Sequence, residues 1–527
     1  MDILKPRQSF RFGALEWAVF AVYSSLLAWS IAHHVPWADE AQSWLLARDL
    51  SLPSLFGKYL HYEGTPGLWS LFLWCLIRLH VSYTLMHWIV GAVAAAGIWV
   101  FLRYCPFPLI LRATLPFTFY LAYQYAVIAR SYVAVPLCIF LAAVLLVNPA
   151  RHLIALAIVL SLLANLCAQG FVLSAGLALI VAARLWQGRG KPLVSARAKN
   201  VVCAVGVLGV FWLAAIATAA PAHDNSYLPP AQFIRIPGLS PSHHPADSST
   251  STAQNQAVAP PAEKRGSFVS RLTARAKDVI TYGLSNSWIL SSFVVAVVVA
   301  FLISRRRILD LAPYVLLLGF FVAVINRPWH FGMAFLALVA ILWINWPQGQ
   351  TQGQRKWVAI LTFAVLCVVI EQFFWTMRAI RAEAHGEYSG DGDAAVFLRS
   401  NLGGKKVAGF QFWSIGILPY FPSNIYFNQH KEGFWFWSSS AHVDDHALET
   451  LNSHPDYIVI GFAIDPKGIA MNAAPNATPQ SVPEPLVEQQ ILATGLYKED
   501  RRYCGNAFSG HGYSEQLCQA ILVPGAQ

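Results

Sequence analysis

Charge is what this sequence has least of. Of 527 residues only 12% are charged while 56% are hydrophobic, against roughly a quarter charged in soluble domains. That deficit excludes a soluble globular, a disordered and a fibrous chain alike. Cysteine is scarce too. The eight present form no CxxC and no Cys/His cluster with zinc spacing, which excludes a disulfide scaffold and speaks against a structural metal site. Acidic residues number 27 against 37 basic ones, for a net charge of +10. An excess of this kind collects in the cytoplasmic loops of membrane proteins, so no nucleic-acid partner is expected.

Apolar sequence is abundant, in stretches of the length, about 20 residues, that a helix needs to cross a bilayer. The run from Ala14 to Ile31 follows Lys5, Arg7 and Arg11, shows no small-x-small cleavage site, and reads as a retained signal anchor. Ten more runs are centred on 83–102, 107–126, 133–148, 153–168, 170–185, 200–220, 288–304, 309–325, 331–346 and 357–376. The expected fold class is a polytopic α-helical membrane protein of about eleven spans (1–377), followed by a small soluble α/β domain (378–527). Pro66 to Leu79 is apolar but too short to span, and reads as a re-entrant or interfacial helix. This choice gathers Arg103, Arg112, Arg184, Arg305, Arg306, Arg307, Arg355 and Lys356 on the inside and leaves Arg130 and Arg327 in short outer loops.

The N-terminus is then cytoplasmic, and three segments lie outside: the loop 33–82, the loop 221–287 and everything after 377. A bacterial-type inner (plasma) membrane with a periplasmic C-terminal domain is the implied setting. Within the second loop, 240–261 is rich in Ser, Pro, Ala and His without hydrophobic period and reads as a disordered link. In the C-terminal domain KKVAGF, SNIYFN, DYIVIGF and CQAILVP read as strands and VDDHALETLNSH as a helix. Cys504 and Cys518 both lie there, and an oxidising compartment would permit a disulfide between them.

Candidate chemistry gathers at the outer ends of the spans. HHVPWADEAQSWLLARDL places Asp39 and Glu40 just beyond the first span, where carboxylates also suit the first turn of a following helix. HYEGTPGLW carries His61 and Glu63 into a turn before the short apolar helix. YQYAVIARSYVAV sets Arg130 and Tyr132 between two spans, and NRPWHFG sets Arg327 and His330 between two others. Each alone reads as readily as a solvated turn or an interfacial anchor. Four such segments at one membrane depth, carrying both carboxylates and cations, are what a site for an amphipathic lipid phosphate requires. In EGFWFWSSS, Trp435 and Trp437 would share one face of a strand, for a sugar or lipid or for core packing.

This pattern resembles the GT-C superfamily of polyprenyl-phosphate-sugar-dependent glycosyltransferases, such as the aminoarabinose and protein O-mannosyl transferases. The resemblance covers the first five or six spans. It rests on the acidic pair Asp39 and Glu40, on HYEGTPGLW with its short helix, and on ARSY around Arg130 and Tyr132. The chain departs from many relatives in offering Ser131 and Ala134, and no carboxylate, after the third-span loop. That departure speaks against a two-carboxylate metal site; a divalent metal ion, if one binds, would be held through Asp39 or Glu63.

The resemblance implies a polyprenyl-phosphate-linked sugar donor and an acceptor hydroxyl on a glycolipid, glycan or protein, with transfer by one inverting displacement at the outer face. Asp39 then takes the hydroxyl proton with Glu40 as its alternate, Arg130 holds the donor phosphate with Tyr132, Arg327 and His330 as helpers, and His61 and Glu63 orient the acceptor or hold the metal. The rival reading is a membrane transporter or flippase for a lipid-linked or anionic substrate. It would call for paired repeats and broken midplane helices, and no matching halves are seen.

Overall fold

A computed structural model describes residues 13–187, 195–226, 268–324, 328–347, 351–429, 432–438, 447–464, 486–509 and 513–525. Mostly helical, it begins with α1 (Ala14–His33), α2 (Ala38–Asp49), the short apolar α3 (Leu68–Arg78) and α4 (Tyr83–Tyr104). There follow α5 (Ala134–Leu145), α6 (Leu153–Leu166), α7 (Ala168–Gln187), α8 (Ser195–Ala219), α9 (Phe268–Leu284) and α10 (Trp288–Ser304). The bundle closes with α11 (Ala312–Ala323), α12 (Gly332–Asn345) and α13 (Gln352–His385). The stretch 240–261 expected to be a disordered link lies outside the described residues.

Five helices, α1, α4, α7, α8 and α13, are long and apolar enough to cross a membrane, and a sixth span results if α9 and α10, bent by 83°, count as one. Eleven full-length spans are not found among the described residues. The runs at 133–148, 153–168, 309–325 and 331–346 do form helices, but short ones of 10–17 residues. The run at 107–126 forms no continuous helix. A single helical turn from Leu109 to Thr114 gives way to a 3-10 turn at Leu115–Phe117 and a π turn at Tyr120–Gln124. Pro108 caps the first turn and Pro116 interrupts the next, each lacking the N–H that would continue the ladder.

Helix α12 is buried on every side from Gly332 to Trp343, as an all-round apolar helix at the centre of a bundle should be. By contrast, α8 turns Val202, Val205, Val210 and Leu213 outward. A row of exposed apolar side chains on such a helix is suited to lipid rather than water.

Helix ends gather at two poles. Phe107 packs on Trp343 and Trp346 at the end of α12, Arg112 pairs with Glu16 at the start of α1 (2.6 Å), and Arg184 at the end of α7 pairs with Asp310 (2.9 Å). At the other pole the end of α1, the start of α4 and the end of α13 meet through His34, His87 and Glu383. Arg103, Arg112, Arg184 and Arg305 to Arg307 belong to the first pole, and Arg130 to the second.

At 1.5 Å per residue, the 34 residues of α13 exceed the hydrocarbon thickness. The composition break at 377 therefore falls inside this helix, which carries the chain straight into the C-terminal region. That region holds α14 (Asp391–Asn401), β1 (Val407–Phe410), β2 (Tyr457–Ile464), α15 (Leu486–Ala493), β3 (Tyr497–Ser509) and β4 (Tyr513–Pro524). The sheet order is β1-β2-β4-β3, with β1 and β2 parallel and the other pairs antiparallel. Three of the four expected strands are present. SNIYFN contributes only an isolated bridge from Tyr426 to Val407. The edge strand β3 was hidden by its run of charges, Lys498 to Arg502, which suit an exposed edge and disguise the alternation. Of VDDHALETLNSH, the described part forms a short helix, Ala447–Leu451. Cys504 and Cys518 face each other across β3 and β4 and form a disulfide.

The two regions share a core: Ala41, Leu45 and Leu46 of α2 pack with Leu398, Ile417 and Val459. Beneath it lies Asp391, at the start of α14, accepting a hydrogen bond from Gln519 Nε2 (2.6 Å). Burial pushes its carboxyl up to about 7 against that bond. A carboxyl raised in the folded state contributes stability that is fully present below its unfolded pKa near 4 and lost as pH rises through about 7. Thermal melts of the purified protein between pH 5.5 and 8.5 are therefore expected to show stability falling with pH, and Asp391→Asn to flatten part of that slope while retaining an acceptor for Gln519. An unchanged slope would exclude Asp391 as one of the groups responsible.

Candidate active site at one pole of the bundle

Trp37 ends the extended link after α1, and α2 starts at once with Ala38, Asp39 and Glu40. Successive residues on a helix point about 100° apart, so the two carboxylates part company. Glu40 is fully buried. Its Oε2 accepts from His34 Nε2 (3.1 Å) and the Trp37 N–H (3.3 Å), and its Oε1 from the Ala129 N–H (2.6 Å) and His87 Nε2 (3.3 Å). His34 Nδ1 in turn donates to Glu383 Oε1 (2.8 Å), which also accepts from the Tyr123 hydroxyl (2.5 Å). Burial works against charge on His34, yet the carboxylates of Glu40 and Glu383 on either side raise it to about 10. Burial likewise works against ionising Glu40, and His34 more than offsets it, holding the carboxyl well below the usual range. A histidine donating from both nitrogens to two carboxylates is an imidazolium, and its charge stabilises both carboxylates.

Asp39 points the other way and forms an ion pair with Arg130. The two are 21% and 24% exposed, so the pair lies at the border of the cluster and not within it. Arg130 sits 5.5 Å over the Tyr132 ring, and the Tyr132 hydroxyl meets His330 Nε2 at 2.8 Å. Glu63, partly buried, accepts from Gln42 Nε2 (2.7 Å), and Gln42 also exchanges hydrogen bonds with the backbone of Trp435 (both 2.8 Å). Burial pushes the Glu63 carboxyl up to about 7; Gln42 and Arg130 pull it down and the charge of Asp39 pushes it further up. Beside Arg130 a narrow cavity opens, walled by Trp37, Tyr132, Trp329, Tyr388 and, from the sheet, Phe508 and Glu515.

The structure thus brings Asp39, Glu63, Arg130, Tyr132 and His330 to one place, with Glu40 directly behind. His61 stands apart: its Nδ1 donates to the Ala220 carbonyl at the end of α8 (2.7 Å), and its own carbonyl accepts from Asn225 (2.9 Å). Arg327 lies outside the described residues. Trp435 and Trp437 are not on a strand; their rings pack on each other and on Phe412.

Among the described residues no three His, Cys, Asp or Glu side chains converge as metal ligands. Asp39 pairs with Arg130, Glu63 accepts from Gln42, and His61 donates to the Ala220 carbonyl. Sequence reasoning missed His34, His87, Gln42, Glu383 and Glu515. Glu383 is 349 residues from its partner His34, and no local spacing announces such a contact.

No family model, no curated protein and no solved structure matches the chain.

Proposed function

We propose that the chain is a multi-pass membrane glycosyltransferase of the GT-C type. On this reading it moves a sugar from a polyprenyl-phosphate donor to an acceptor hydroxyl on the outer face by an inverting displacement, in the modification of a cell-envelope glycan or glycolipid. One observation carries the reading: Arg130, paired with Asp39 and close to Glu63, borders a small cavity of about 30 Å³ lined on one side by Phe508 and Glu515 of the C-terminal sheet, which the donor would have to open further. A guanidinium fork matches the oxygens of a departing phosphate. When the donor phosphate engages Arg130, it displaces Asp39, whose carboxylate becomes available to take the proton of the attacking hydroxyl. Tyr132 and His330 brace the arginine, and Glu63, near neutrality at working pH, hydrogen-bonds the acceptor. The polyprenyl tail lies along the apolar helices and the sheet domain covers the acceptor. The membrane is a plasma membrane of bacterial type, with the site and the sheet on its outer side.

The test compares envelope glycolipids, by mass, between cells with and without the protein. A species differing by one sugar is expected, and its mass identifies sugar and acceptor together. Purified protein given that donor should transfer the sugar, and Arg130→Lys should lose most of the activity, because a point charge cannot reproduce the bidentate fork. No sugar difference, together with substrate-dependent counterflow in vesicles, would replace this reading with transport.

A further inference from the structure

At the opposite pole lies a second and much larger cavity, of about 1500 Å³, beyond the roughly 300–1,000 Å³ of sites for drug-sized ligands. Its buried walls are apolar, with Leu156 and Leu160 of α6 and Val181 of α7, and on the α8 side it is lined by Leu208 and the outward-facing Val205. Its mouth is cationic: Arg184, Arg305, Arg306 and Arg307 line it, and no aspartate or glutamate among the described residues does. Arg184 is committed to Asp310 and the Leu146 carbonyl (3.0 Å), and Arg307 to Gln187 (2.8 Å). Arg305 and Arg306 are exposed, with no carboxylate partner among the described residues. Trp343 and Trp346, buried against Phe107, also line the cavity.

Apolar walls below a mouth of one charge are the complement of an amphipathic anion. A soluble anion would satisfy the arginines and leave the walls facing water. An uncharged lipid would fill the walls and leave the arginines unmet. We propose that this cavity binds one anionic phospholipid, its acyl chains between α6, α7 and α8 and its phosphate held by Arg305 and Arg306. This rests on residence in a membrane and not on sugar transfer, so either idea can fail without the other.

Native mass spectrometry of the full detergent-purified chain tests it, with phosphatidylglycerol and phosphatidylcholine of identical acyl chains as probes. Phosphatidylglycerol should be retained in preference. The double variant Arg305→Gln/Arg306→Gln, which changes only exposed side chains, should lower its retention about 30-fold and lower that of phosphatidylcholine, whose phosphate is already offset by its own choline cation, far less. Ala182→Trp, which narrows the cavity and leaves the arginines in place, should reduce retention of both lipids. Equal retention of the two lipids, an unchanged preference in the double variant, or full displacement of phosphatidylglycerol by millimolar inorganic phosphate would each overturn the proposal.

Discussion

Asp39→Asn is expected to cut turnover with the lipid-linked donor by about two to four orders of magnitude, the range assigned to a positioned general base. The exchange keeps size and an acceptor oxygen but removes the group able to take the acceptor proton. Its side effects follow from the ion pair. Because Asp39 and Arg130 are roughly one-fifth exposed, losing the pair should cost about 1 kcal/mol and leave folding intact. The same geometry makes Asp39 a competitor of the donor phosphate for the guanidinium. Donor KM should therefore stay level or fall in the variant, even as kcat collapses. A mere anchor for Arg130 would do the reverse, raising KM and sparing kcat. Wild-type turnover in Asp39→Asn would remove this residue from the chemistry.

The parts of this molecule legible in sequence are those governed by local composition. The long apolar helices α1, α4, α7, α8 and α13 stand where continuous hydrophobic runs stand, and the short α3, Leu68–Arg78, falls within the run from Pro66 to Leu79. Hydrophobicity misled at 107–126, where Pro108 and Pro116 were turn signals inside an apolar run and the backbone obeyed the prolines. Strand β3 was unreadable for the opposite reason, since its exposed edge tolerates the charges that mask a strand pattern. At the site, shared membrane depth was legible for Asp39, Arg130, Tyr132 and His330. Their pairing was not, because it depends on segments about 90 to 200 residues apart. Nor could sequence separate Asp39 from Glu40. Which of two adjacent carboxylates turns inward was decided by His34, His87 and the Ala129 N–H waiting there.

Glu40→Gln should act on the fold first and on turnover only as a result. All four hydrogen bonds to Glu40 come from donors, and the amide of glutamine offers one acceptor oxygen and one donor nitrogen. Whichever way the amide turns, its N–H₂ faces another donor, while His34 keeps Glu383 as its charge partner. Leaving buried donors unpaired in this way costs about 1–3 kcal/mol per group, enough in a chain of 527 residues to lower Tm by on the order of a few °C. The neighbouring change His33→Gln, at an exposed ring bonded only to its own helix, should leave Tm unmoved. The pH dependence carries the sign of the cluster. The contribution of Glu40, whose carboxyl is lowered on folding, is present above its unfolded pKa and lost as pH falls through the folded one. The contribution of His34 is complete below its unfolded pKa of about 6.5 and fades as pH rises to about 10. Between about pH 5 and 6.5 both act in full, so the wild type should exceed Glu40→Gln by most there, with the gap closing toward pH 10. Because Oε1 grips the Ala129 N–H, one residue before Arg130, the variant should also lose turnover through a misplaced guanidinium. A folded Glu40→Gln with wild-type Tm and no turnover would instead make Glu40 the base and Asp39 the anchor.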